Sequence, residues 1–595
     1  MAFNNTNTTM VGTKHSDVYT ANGVNDPRVA LSVLLVQGAD ESNIIGGLDA
    51  ILATGDRQMV EDAFVLAFQA RDVRGGKGIR DVTHIMIKHL LSQAKWRPIM
   101  LDLLGQAPEY GSWRDLKMLA IHGYEAFPPY AEALINRVVQ LFKDQLTLDW
   151  QVMLTLPSSV SLAAKYAPRE CHNSQHEKKL AKLLANDMCP MDGLMISHKL
   201  KSYRRMISEL NRVLDTTEVK MCGKHWADIE PGKVAGRCLQ KNTKAFLNQP
   251  STYKTPEHPR PLADADRVKC AEHFKEHFAK AARGEATLNG SKTVFPHELI
   301  KKVVSSMGRH RYYDHDGDGK VTSNMSQEEK DSIVGVWNQM VKDAQTSGGL
   351  GRSLAMCDFS GSMQSSDRNN DTPYWVSMAM GLLISEVTTE EFKDTFLTFD
   401  STPTFHQLPK GDIFQRVASI SGSIGQGTST DFQKAMDLIL QRCKEARIRP
   451  GQEPEDLIVL TDMNWDQACA SDCRGYYTGN SYRHIVKTAS WQTHVEMIRE
   501  AFKRAGEDMW GEGQGLKMPR IVIWNIAATS TDFHATADTE GVVMLSGWSP
   551  SLFKVLQKEG VVIQTPYQAL RVQLDDERYE PVRQRVRSLY KPVRI

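Results

Sequence analysis

The stretch that decides the fold of the second half of the chain is SLAMCDFSGS, residues 353–362. Its first five residues are small or apolar, which is typical of a short buried strand. The next five, DFSGS, place a carboxylate, two hydroxyls and a glycine directly after that strand. In open α/β sheets, ligands bind beyond the carboxyl ends of the strands. The stretch therefore predicts a fold class and also the edge of the sheet at which a site would lie.

Similar apolar runs recur after this stretch and alternate with helical patterns. Runs typical of strands lie at 395–399, 457–461, 521–526, 542–545 and 561–564, and helical patterns lie at 375–386, 431–445, 490–504 and 550–557. Such alternation predicts a largely parallel sheet with helices on both faces. We therefore predict a doubly wound α/β domain over 350–566. A charged tail, 567–595, follows, and it either contacts nucleic acid or packs back across the domains.

The N-terminal half has a different pattern. From residue 27 to 346, apolar residues recur at spacings of three and four, for example at 60–70 and 203–214. Successive helices without strands predict an all-α, HEAT-like helical-repeat solenoid, although no clean sequence repeat is present. Residues 1–26 are rich in Asn and Thr, and we predict that they form a flexible tail.

The composition excludes several classes of protein. The 595 residues carry 72 Lys and Arg against 71 Asp and Glu, a net charge of +1. This excludes a uniformly basic or acidic protein, but not a basic face balanced by acidic surface elsewhere. Nine scattered cysteines give no disulfide framework, and the sequence shows neither a signal peptide nor a long apolar run. We expect a soluble, intracellular, cytoplasmic protein.

Two further polar segments are expected at the same edge of the predicted sheet. GTSTD, residues 427–431, opens a predicted helix, and Asp462 follows the predicted strand at 457–461. Carboxylates and hydroxyls are hard oxygen donors that suit Mg²⁺. The alternative is that Asp358 and Ser360 only cap the helix that follows them.

This D-x-S-x-S, Thr and Asp set resembles the metal-ion-dependent adhesion site (MIDAS) of von Willebrand factor A domains. The resemblance implies a ligand set of two carboxylates and three hydroxyls, namely Asp358, Ser360, Ser362, Thr430 and Asp462. The serines would ligate directly, the threonine when a ligand is engaged, and the carboxylates directly or through water. Thr428 would replace Thr430 if the loop register is shifted. Such a cation, Mg²⁺ or another divalent ion, keeps positive character and can bind a carboxylate of a protein partner.

Motifs elsewhere indicate a wider resemblance. They are RDVRGGKG at 71–78, YGSWRD at 110–115, SLAAKYAP at 161–168, YRR at 203–205 and SGWSP at 546–550. On these motifs the chain is similar, over roughly 30–565, to an uncharacterised Ro-like family of plant and large-virus proteins, catalogued as a domain of unknown function. It more distantly resembles the Ro ribonucleoprotein autoantigen. The resemblance implies a TROVE-like helical domain that binds small structured RNAs, joined to a von Willebrand factor A-like domain.

Cationic residues in the helical half are candidates for RNA contacts. Some surround the glycine-rich turn at 75–78, whose amides and long side chains can approach phosphates. Others lie in the segment 198–247, which has 11 Lys and Arg against 5 Asp and Glu. Tyr166, Tyr203 and Trp226 are available for base stacking. The candidates are Arg71, Arg74, Lys77, Arg80, Lys199, Lys201, Arg204 and Arg205. Alternatively the cations are solvated, the aromatic residues are core, and Arg71 and Asp72 form a structural pair.

DHDGDGKV, residues 314–321, matches the start of an EF-hand calcium loop within a candidate insertion at 314–325. The ligands would be Asp314, Asp316, Asp318 and, through its carbonyl, Lys320. The twelfth position is Met325, where a bidentate glutamate belongs, and the nearest glutamates come three and four residues late. The alternative is an acidic, solvated turn between two helices.

These patterns together predict a protein that binds and does not catalyse. The sequence contains no GxxxxGK[ST] loop, no GxSxG elbow and no HExxH motif. We predict that the helical half binds structured RNA and that the α/β half binds a divalent cation for partner docking. The rival hypothesis is a protein–protein scaffold, or a virion-associated structural component, that binds no nucleic acid.

Overall fold

The structure is a computed structural model, and it forms two compact units, each assembled from separate stretches of the chain. The residues that it describes are 2–4, 7–11, 17–170, 174–189, 195–250, 261–307, 323–364, 373–400, 402–420, 432–463, 491–557 and 563–590. The α/β unit comprises Met1–Thr54, Val294–Ser326 and Trp337–Asp576. The helical unit comprises Gly55–Thr293, Gln327–Val336 and Glu577–Ile595.

The α-helices are numbered here in chain order. They are α1 (Pro27–Leu34), α2 (Glu41–Ala53), α3 (Arg57–Arg71), α4 (Arg80–Ser92), α5 (Arg97–Leu103), α6 (Ala107–Tyr110), α7 (Trp113–Ala126), α8 (Ala131–Val152), α9 (Ala163–Tyr166), α10 (Gln175–Met188), α11 (Ile196–Val213), α12 (Thr217–Gly223), α13 (Gly236–Phe246), α14 (Ala265–Ala282), α15 (Pro296–Met307), α16 (Gln327–Thr346), α17 (Pro373–Val387), α18 (Ile413–Ile420), α19 (Phe432–Glu445), α20 (Trp491–Trp510), α21 (Phe553–Leu556), α22 (Pro566–Leu574) and α23 (Glu580–Leu589).

The strands of the α/β unit build one large sheet and one short ribbon. They are β1 (Thr9–Val11), β2 (Asp17–Tyr19), β3 (Ser353–Asp358), β4 (Thr395–Phe399), β5 (Phe405–Gln407), β6 (Asp456–Thr461), β7 (Arg520–Asn525) and β8 (Val542–Ser546). The large sheet has the order β5-β4-β3-β6-β7-β8, and all its pairings are parallel except that of β5 with β4. β3, β6 and β8 are buried along their whole length, as expected when helices cover both faces. The predicted α/β fold is confirmed.

α17 packs against the central strand β3 at very short range. A Cβ atom on Gly381 would lie 2.3 Å from the Sγ atom of Cys357, so a side chain does not fit at this point of the helix. Every residue of α17 except Trp375 and Glu386 is buried. A helix that is apolar all round is enclosed by protein. This packing fixes β3 just before the loop that carries the candidate site.

The described parts of the N-terminal segment are ordered within the α/β unit, which corrects the predicted flexible tail at 1–26. β1 and β2 pair antiparallel, and Tyr19 exchanges backbone hydrogen bonds with Phe533. The side chains of Asn525 and Ser546, at the ends of β7 and β8, donate to carbonyls at the C-terminal end of α1. The sequence misled here because a polar composition does not reveal backbone pairing with residues far along the chain.

The helical unit is all-α over the residues that the structure describes, as predicted. Consecutive helices pack in pairs, among them α3 with α4, α7 with α8, and α10 with α11. α23, from the far end of the chain, packs against α3 and α5 and completes the unit. The segment predicted as a charged tail, 567–595, is therefore helical where it is described, and α22 belongs to the α/β unit. The predicted boundaries at 27–346 and 350–566 differ from these units because both chain ends return to the other half of the sequence.

Buried ion pairs hold α23 in the helical unit. The Nη2 atom of Arg583 lies 2.6 Å from Oδ1 of Asp62, and both side chains are buried. Arg578 Nε and the hydroxyl of Tyr579 donate to Oδ2 of Asp72, at 2.7 and 3.0 Å. Asp72 belongs to the RDVRGGKG motif, so this motif has a structural role in binding the C-terminal segment.

No α-helix in the described part of the chain is both long enough and apolar enough to span a membrane.

Candidate functional site

Two aspartates lie at neighbouring positions on the carboxyl edge of the large sheet. Asp358 is the last residue of β3, and Asp462 directly follows β6. The two strands are parallel neighbours, with Cys357 opposite Leu460 in the register. Both aspartates are completely buried. The fold therefore brings together two predicted metal ligands that are far apart in the sequence.

Hydroxyl-bearing residues from the loop after β3 and from the end of β6 lie beside Asp358. The amide of Ser360 donates to Oδ1 at 2.9 Å, and the hydroxyl of Thr461 donates to Oδ2 at 3.1 Å. The Oγ atoms of Ser360 and Ser362 are 3.1 Å apart. The amide contact is the local turn that the capping alternative predicts. The contact from Thr461 comes from a different strand, and capping does not explain it.

The Asp358 carboxylate is in an unfavourable electrostatic position. Burial, and then the negative charge of Asp462, raise its pKa to about 7, and the hydrogen bonds from Ser360 and Thr461 oppose this shift. Among the residues that the structure describes, no Lys, Arg or His forms an ion pair with Asp358. The nearby His534 is buried as well, which lowers its pKa and keeps the ring neutral at pH 7. Two buried carboxylates in this setting are costly unless a cation accompanies them.

The donor set fits a hard divalent cation. Carboxylate and hydroxyl oxygens are the ligands that Mg²⁺ prefers. The described residues contain no group of three or more His, Cys, Asp and Glu side chains suited to a metal. A cation here would therefore depend on Ser360 and Ser362 as well as on the two aspartates. Thr430 and its alternative, Thr428, lie outside the described residues.

Thr461 is a site residue that the sequence analysis missed. It is the last residue of β6, it is completely buried, and its hydroxyl also accepts from the amide of Met463 at 3.2 Å. A signal was present, because the strand LIVLT ends in a hydroxyl directly before Asp462. A polar residue at the end of a buried strand, directly before a candidate ligand, is itself a candidate site residue.

The glycine-rich turn at 75–78 is folded back on α3 and is not open to phosphate. The amides of Gly76 and Lys77 donate to the carbonyls of Asp72 and Gln69. A Cβ atom on Gly76 would lie 2.0 Å from the Gln69 carbonyl oxygen, so glycine is required by this close approach. These amides are used within the protein, which corrects the expectation that they approach phosphate.

Two of the four cations around this turn have structural positions. Lys77 is completely buried, and burial lowers its pKa to about 7. A buried ammonium cannot contact the phosphate of an external RNA, so the prediction for Lys77 is corrected. Arg71 is mostly buried, and its Nη2 atom lies 3.1 Å from Oδ2 of Asp115. The guanidinium of Arg71 thus joins α3 to α7.

The other two cations of this group remain at the surface. Arg74 pairs with Glu109 and Arg80 with Asp81, at N–O distances of 3.1 and 3.3 Å. Such exposed pairs contribute little to stability and are easily exchanged for another anion. Arg74 and Arg80 therefore stay candidates for RNA contact.

α11 carries the second group of predicted RNA contacts, and burial separates its members. Lys199 is buried and donates to an amide oxygen on α10 at 2.8 Å, which removes it as a surface contact. Lys201, Arg204 and Arg205 are exposed. Arg204 pairs with Glu170, whereas Lys201 and Arg205 form no ion pair within the described part of the chain.

The aromatic residues expected to stack on bases are mostly engaged inside the helical unit. Tyr203 is buried, and its hydroxyl donates to the carbonyl of Pro168 at 2.9 Å. The guanidinium of Arg267 lies 4.0 Å from the centre of the Trp226 ring and covers one face. Tyr166 is half-buried. Base stacking by Tyr203 is therefore excluded in this conformation.

The EF-hand-like loop lies outside the described residues. This holds for all four predicted ligands, Asp314, Asp316, Asp318 and Lys320. Calcium binding there stays a prediction from the sequence.

Two family models match this chain. One is described as a domain of unknown function, DUF2828, and matches residues 117–253; the other, DUF7788, also a domain of unknown function, matches residues 352–595. An uncharacterized protein of Acanthamoeba polyphaga mimivirus is 26% identical over 506 residues, which are 83% of this chain and 76% of that protein. The DUF7788 match spans both buried aspartates and α23.

The chain is also similar to solved structures, one of which matches over most of its length. The crystal structure of the Deinococcus radiodurans Ro (RSR) protein matches with a TM-score of 0.35 and 15% identity, over 90% of this chain and 100% of that one. A similarity of this size carries no argument about function. The two family models and the viral relative support the resemblance to an uncharacterised family that the motifs indicate, with DUF2828 matched in the helical half of the sequence and DUF7788 in the C-terminal half.

Proposed function

We propose that this protein acts by binding two partners. Its α/β unit holds a divalent cation that docks a carboxylate of a protein partner, and its helical unit binds structured RNA. The observation that carries the first part is the pair of completely buried aspartates, Asp358 and Asp462, at the ends of adjacent parallel strands. Without a cation these two like charges destabilise one another, so the arrangement is best explained by a bound metal.

The residues that would hold the cation are Asp358, Asp462, Ser360 and Ser362, with Thr430 as the remaining ligand implied by the MIDAS resemblance. The cation would supply a positive centre with open coordination positions for an incoming carboxylate. Thr461 orients Asp358 through the hydrogen bond to Oδ2, and orientation of this kind tunes metal affinity.

Titration of the full-length chain with Mg²⁺, or with Mn²⁺ as a spectroscopic substitute, tests the metal proposal. We expect Asp358→Ala to weaken binding at this site by about 10-fold or more, because a carboxylate ligand is lost. Asp412→Ala is the matched control, since Asp412 only caps α18 through the amides of Phe414 and Gln415. Asp316→Ala controls for binding at the EF-hand-like loop. Equal affinity in the wild-type chain and Asp358→Ala would contradict the proposal.

Docking through the cation has its own consequence. Complexes of the chain with its protein partners should dissociate in EDTA and should not form with Asp358→Ala. A complex that survives both treatments uses another surface, and the cation would then have a purely structural role.

The RNA proposal rests on α11. Lys201 and Arg205 are exposed, they are four residues apart and therefore share one helix face, and they form no ion pair with any described residue. The surrounding segment 198–247 carries a local excess of positive charge in a nearly neutral chain. Unpaired cations on one face are the electrostatic footprint of a phosphate-binding surface.

Binding of a structured RNA at several salt concentrations tests this part. We expect the double variant Lys201→Glu, Arg205→Glu to bind more weakly and to lose about one unit of salt slope for each phosphate contact removed. Arg212→Glu is the control on the same helix, because Arg212 is exposed but pairs with Glu209 at 2.9 Å. Unchanged binding in the double variant would favour the scaffold or virion alternative, with which a viral relative is consistent.

We also propose that the chain is not an enzyme. Cys270, Cys357 and Cys443 are buried, and burial raises the pKa of each thiol. These thiols stay protonated at pH 7, and a protonated thiol is a poor nucleophile. Metal-dependent turnover of RNA or of an ester by the purified chain, lost in Asp358→Ala, would contradict this.

A further inference from the structure

The α/β unit contains a cavity of about 340 Å³ at the amino ends of its parallel strands, away from Asp358. The cavity is lined by Leu354, Thr395 and Pro454, among others. Leu354 is the second residue of β3, Thr395 is the first residue of β4, and Pro454 lies two residues before the start of β6. Because the candidate metal site is at the carboxyl ends of β3 and β6, the two features lie at opposite ends of the same sheet. The cavity is thus separate from the proposed metal site.

One face of α19 forms a wall of this cavity. Ile439, Arg442 and Cys443 line it, and Ala446, which directly follows the helix, continues the same spacing of three and four residues on one side. The lining also includes Phe392, Phe405 and Ile448. Aliphatic and aromatic side chains therefore provide most of the lining. A volume above about 300 Å³ is within the range of small-molecule sites in proteins.

The few polar groups at the rim already have partners. Thr395 Oγ1 donates to Oε1 of Gln407 at 2.9 Å, and Nε2 of Gln407 donates to a backbone carbonyl at 3.0 Å. The guanidinium of Arg442 pairs with Glu445 at 3.4 Å and lies 5.5 Å from the ring centre of Phe405. The last rim residue, Glu391, is exposed, and hydrogen bonds from its own backbone and from Thr389 lower its pKa. The lining carries one acidic and one basic residue, Glu391 and Arg442, and the charge of Arg442 is paired with Glu445, so the lining does not select an anion.

We propose that this cavity binds a small, uncharged and largely apolar molecule. The lining side chains are left without packing partners over the cavity volume, and a ligand that fills this volume restores those contacts. Since the polar groups at the rim already have hydrogen-bond or ion-pair partners, shape and apolar surface decide which molecule fits. The guanidinium of Arg442, which lies over Phe405, offers a flat cationic edge to an aromatic ring.

A pair of fluorescent probes tests the proposal on the full-length chain. N-phenylnaphthylamine is uncharged, and anilinonaphthalene sulfonate has a similar ring system with an added negative charge. We expect the uncharged probe to bind the wild-type chain with one site and more tightly than the sulfonate. Ala446→Trp, which adds a ring at an exposed position of the lining, should weaken this binding by about 10-fold or more.

Two further variants keep the test decisive. Lys444→Trp adds the same ring to an exposed position of α19 outside the lining, and binding should be unchanged. Cys443→Met places a larger side chain at a buried position of the lining and so reduces the volume of the cavity, which should also weaken binding. Absence of binding by the wild-type chain, or equal binding by Ala446→Trp, would overturn the proposed site. Tighter binding of the sulfonate would overturn the assignment to uncharged ligands.

Discussion

Replacing Arg583 by Met is expected to lower the free energy of unfolding of the helical unit by about 3–5 kcal/mol. Arg583 is the buried partner of Asp62, at 2.6 Å, and it also lies 3.7 Å from Glu61. Both acidic side chains are buried on α3. Methionine has a similar length and apolar character, so the variant keeps the packing and removes the charge. The loss therefore measures the cost of removing the positive charge of Arg583 from beside the buried Asp62 carboxylate, since Glu61 keeps Arg587 at 2.9 Å.

Hydrogen exchange of the α3 amides during denaturant unfolding would measure this effect. Arg585→Met is the matched control two residues away, because Arg585 pairs with Asp102 at 2.6 Å on the exposed side of α23. We expect a loss below about 1 kcal/mol there. Adding Asp62→Asn to Arg583→Met should recover part of the stability, since one buried charge is then removed. Similar losses for Arg583→Met and Arg585→Met would show that buried charge is not the cause.

Replacing Asp358 by Asn is expected to stabilise the α/β unit when divalent cations are absent and to remove its response to Mg²⁺. Protonated Asp358 is favoured in the folded state because its pKa is raised from 3.8 to about 7. Protonation of Asp358 therefore favours the folded state. This contribution to the free energy of unfolding is fully present below about pH 4 and is lost as the pH rises through about 7, where the buried carboxyl ionises. A shift of this size corresponds to at most roughly 4 kcal/mol. Asn carries no charge at any pH, so the variant avoids this loss.

Thermal unfolding in EDTA and in Mg²⁺, at pH 5 and pH 8, would check the second prediction. In EDTA at pH 8, Asp358→Asn should unfold at a higher temperature than the wild-type chain, and the difference should shrink at pH 5. In Mg²⁺ the order should reverse, because only the wild-type site binds the cation. A variant that is less stable in EDTA at both pH values would mean that Asp358 is held by a protein cation or by its hydrogen bonds alone.

The edge of the sheet that carries the candidate site was predictable, because the carboxyl end of each strand can be recognised from the local sequence pattern. The apolar run before Asp358 and the run before Asp462 each mark a strand, and parallel neighbours bring their carboxyl ends together. The order of the strands was not needed for this inference. The short strand β5 was missed, since a three-residue edge strand leaves no periodic signal.

The roles of the cationic residues could not be predicted in the same way. Lys77 and Arg71 resemble phosphate contacts in a glycine-rich motif, but in the folded chain the side chain of Lys77 is completely buried and the guanidinium of Arg71 pairs with Asp115. Charge pairing between distant segments is set by packing and is invisible to local composition. Lys201 and Arg205 differ from Lys77 and Arg71 in their exposure, which is decided by how the helices pack and not by the local sequence.

The place of α23 has a consequence for how the chain is made. The helical unit begins at Gly55, yet Arg583 and Arg587, which pair with Asp62 and Glu61, come after the whole α/β unit in the sequence. Synthesis proceeds from the N-terminus, and domains normally fold as they emerge. The first helices of the helical unit are therefore synthesised well before Arg583, the buried cation that pairs with Asp62, whereas Glu61 has Arg57 on the same helix. Folding of the helical unit should therefore finish only after synthesis has passed the last helix, and a nascent chain stalled before it should remain a target for chaperones.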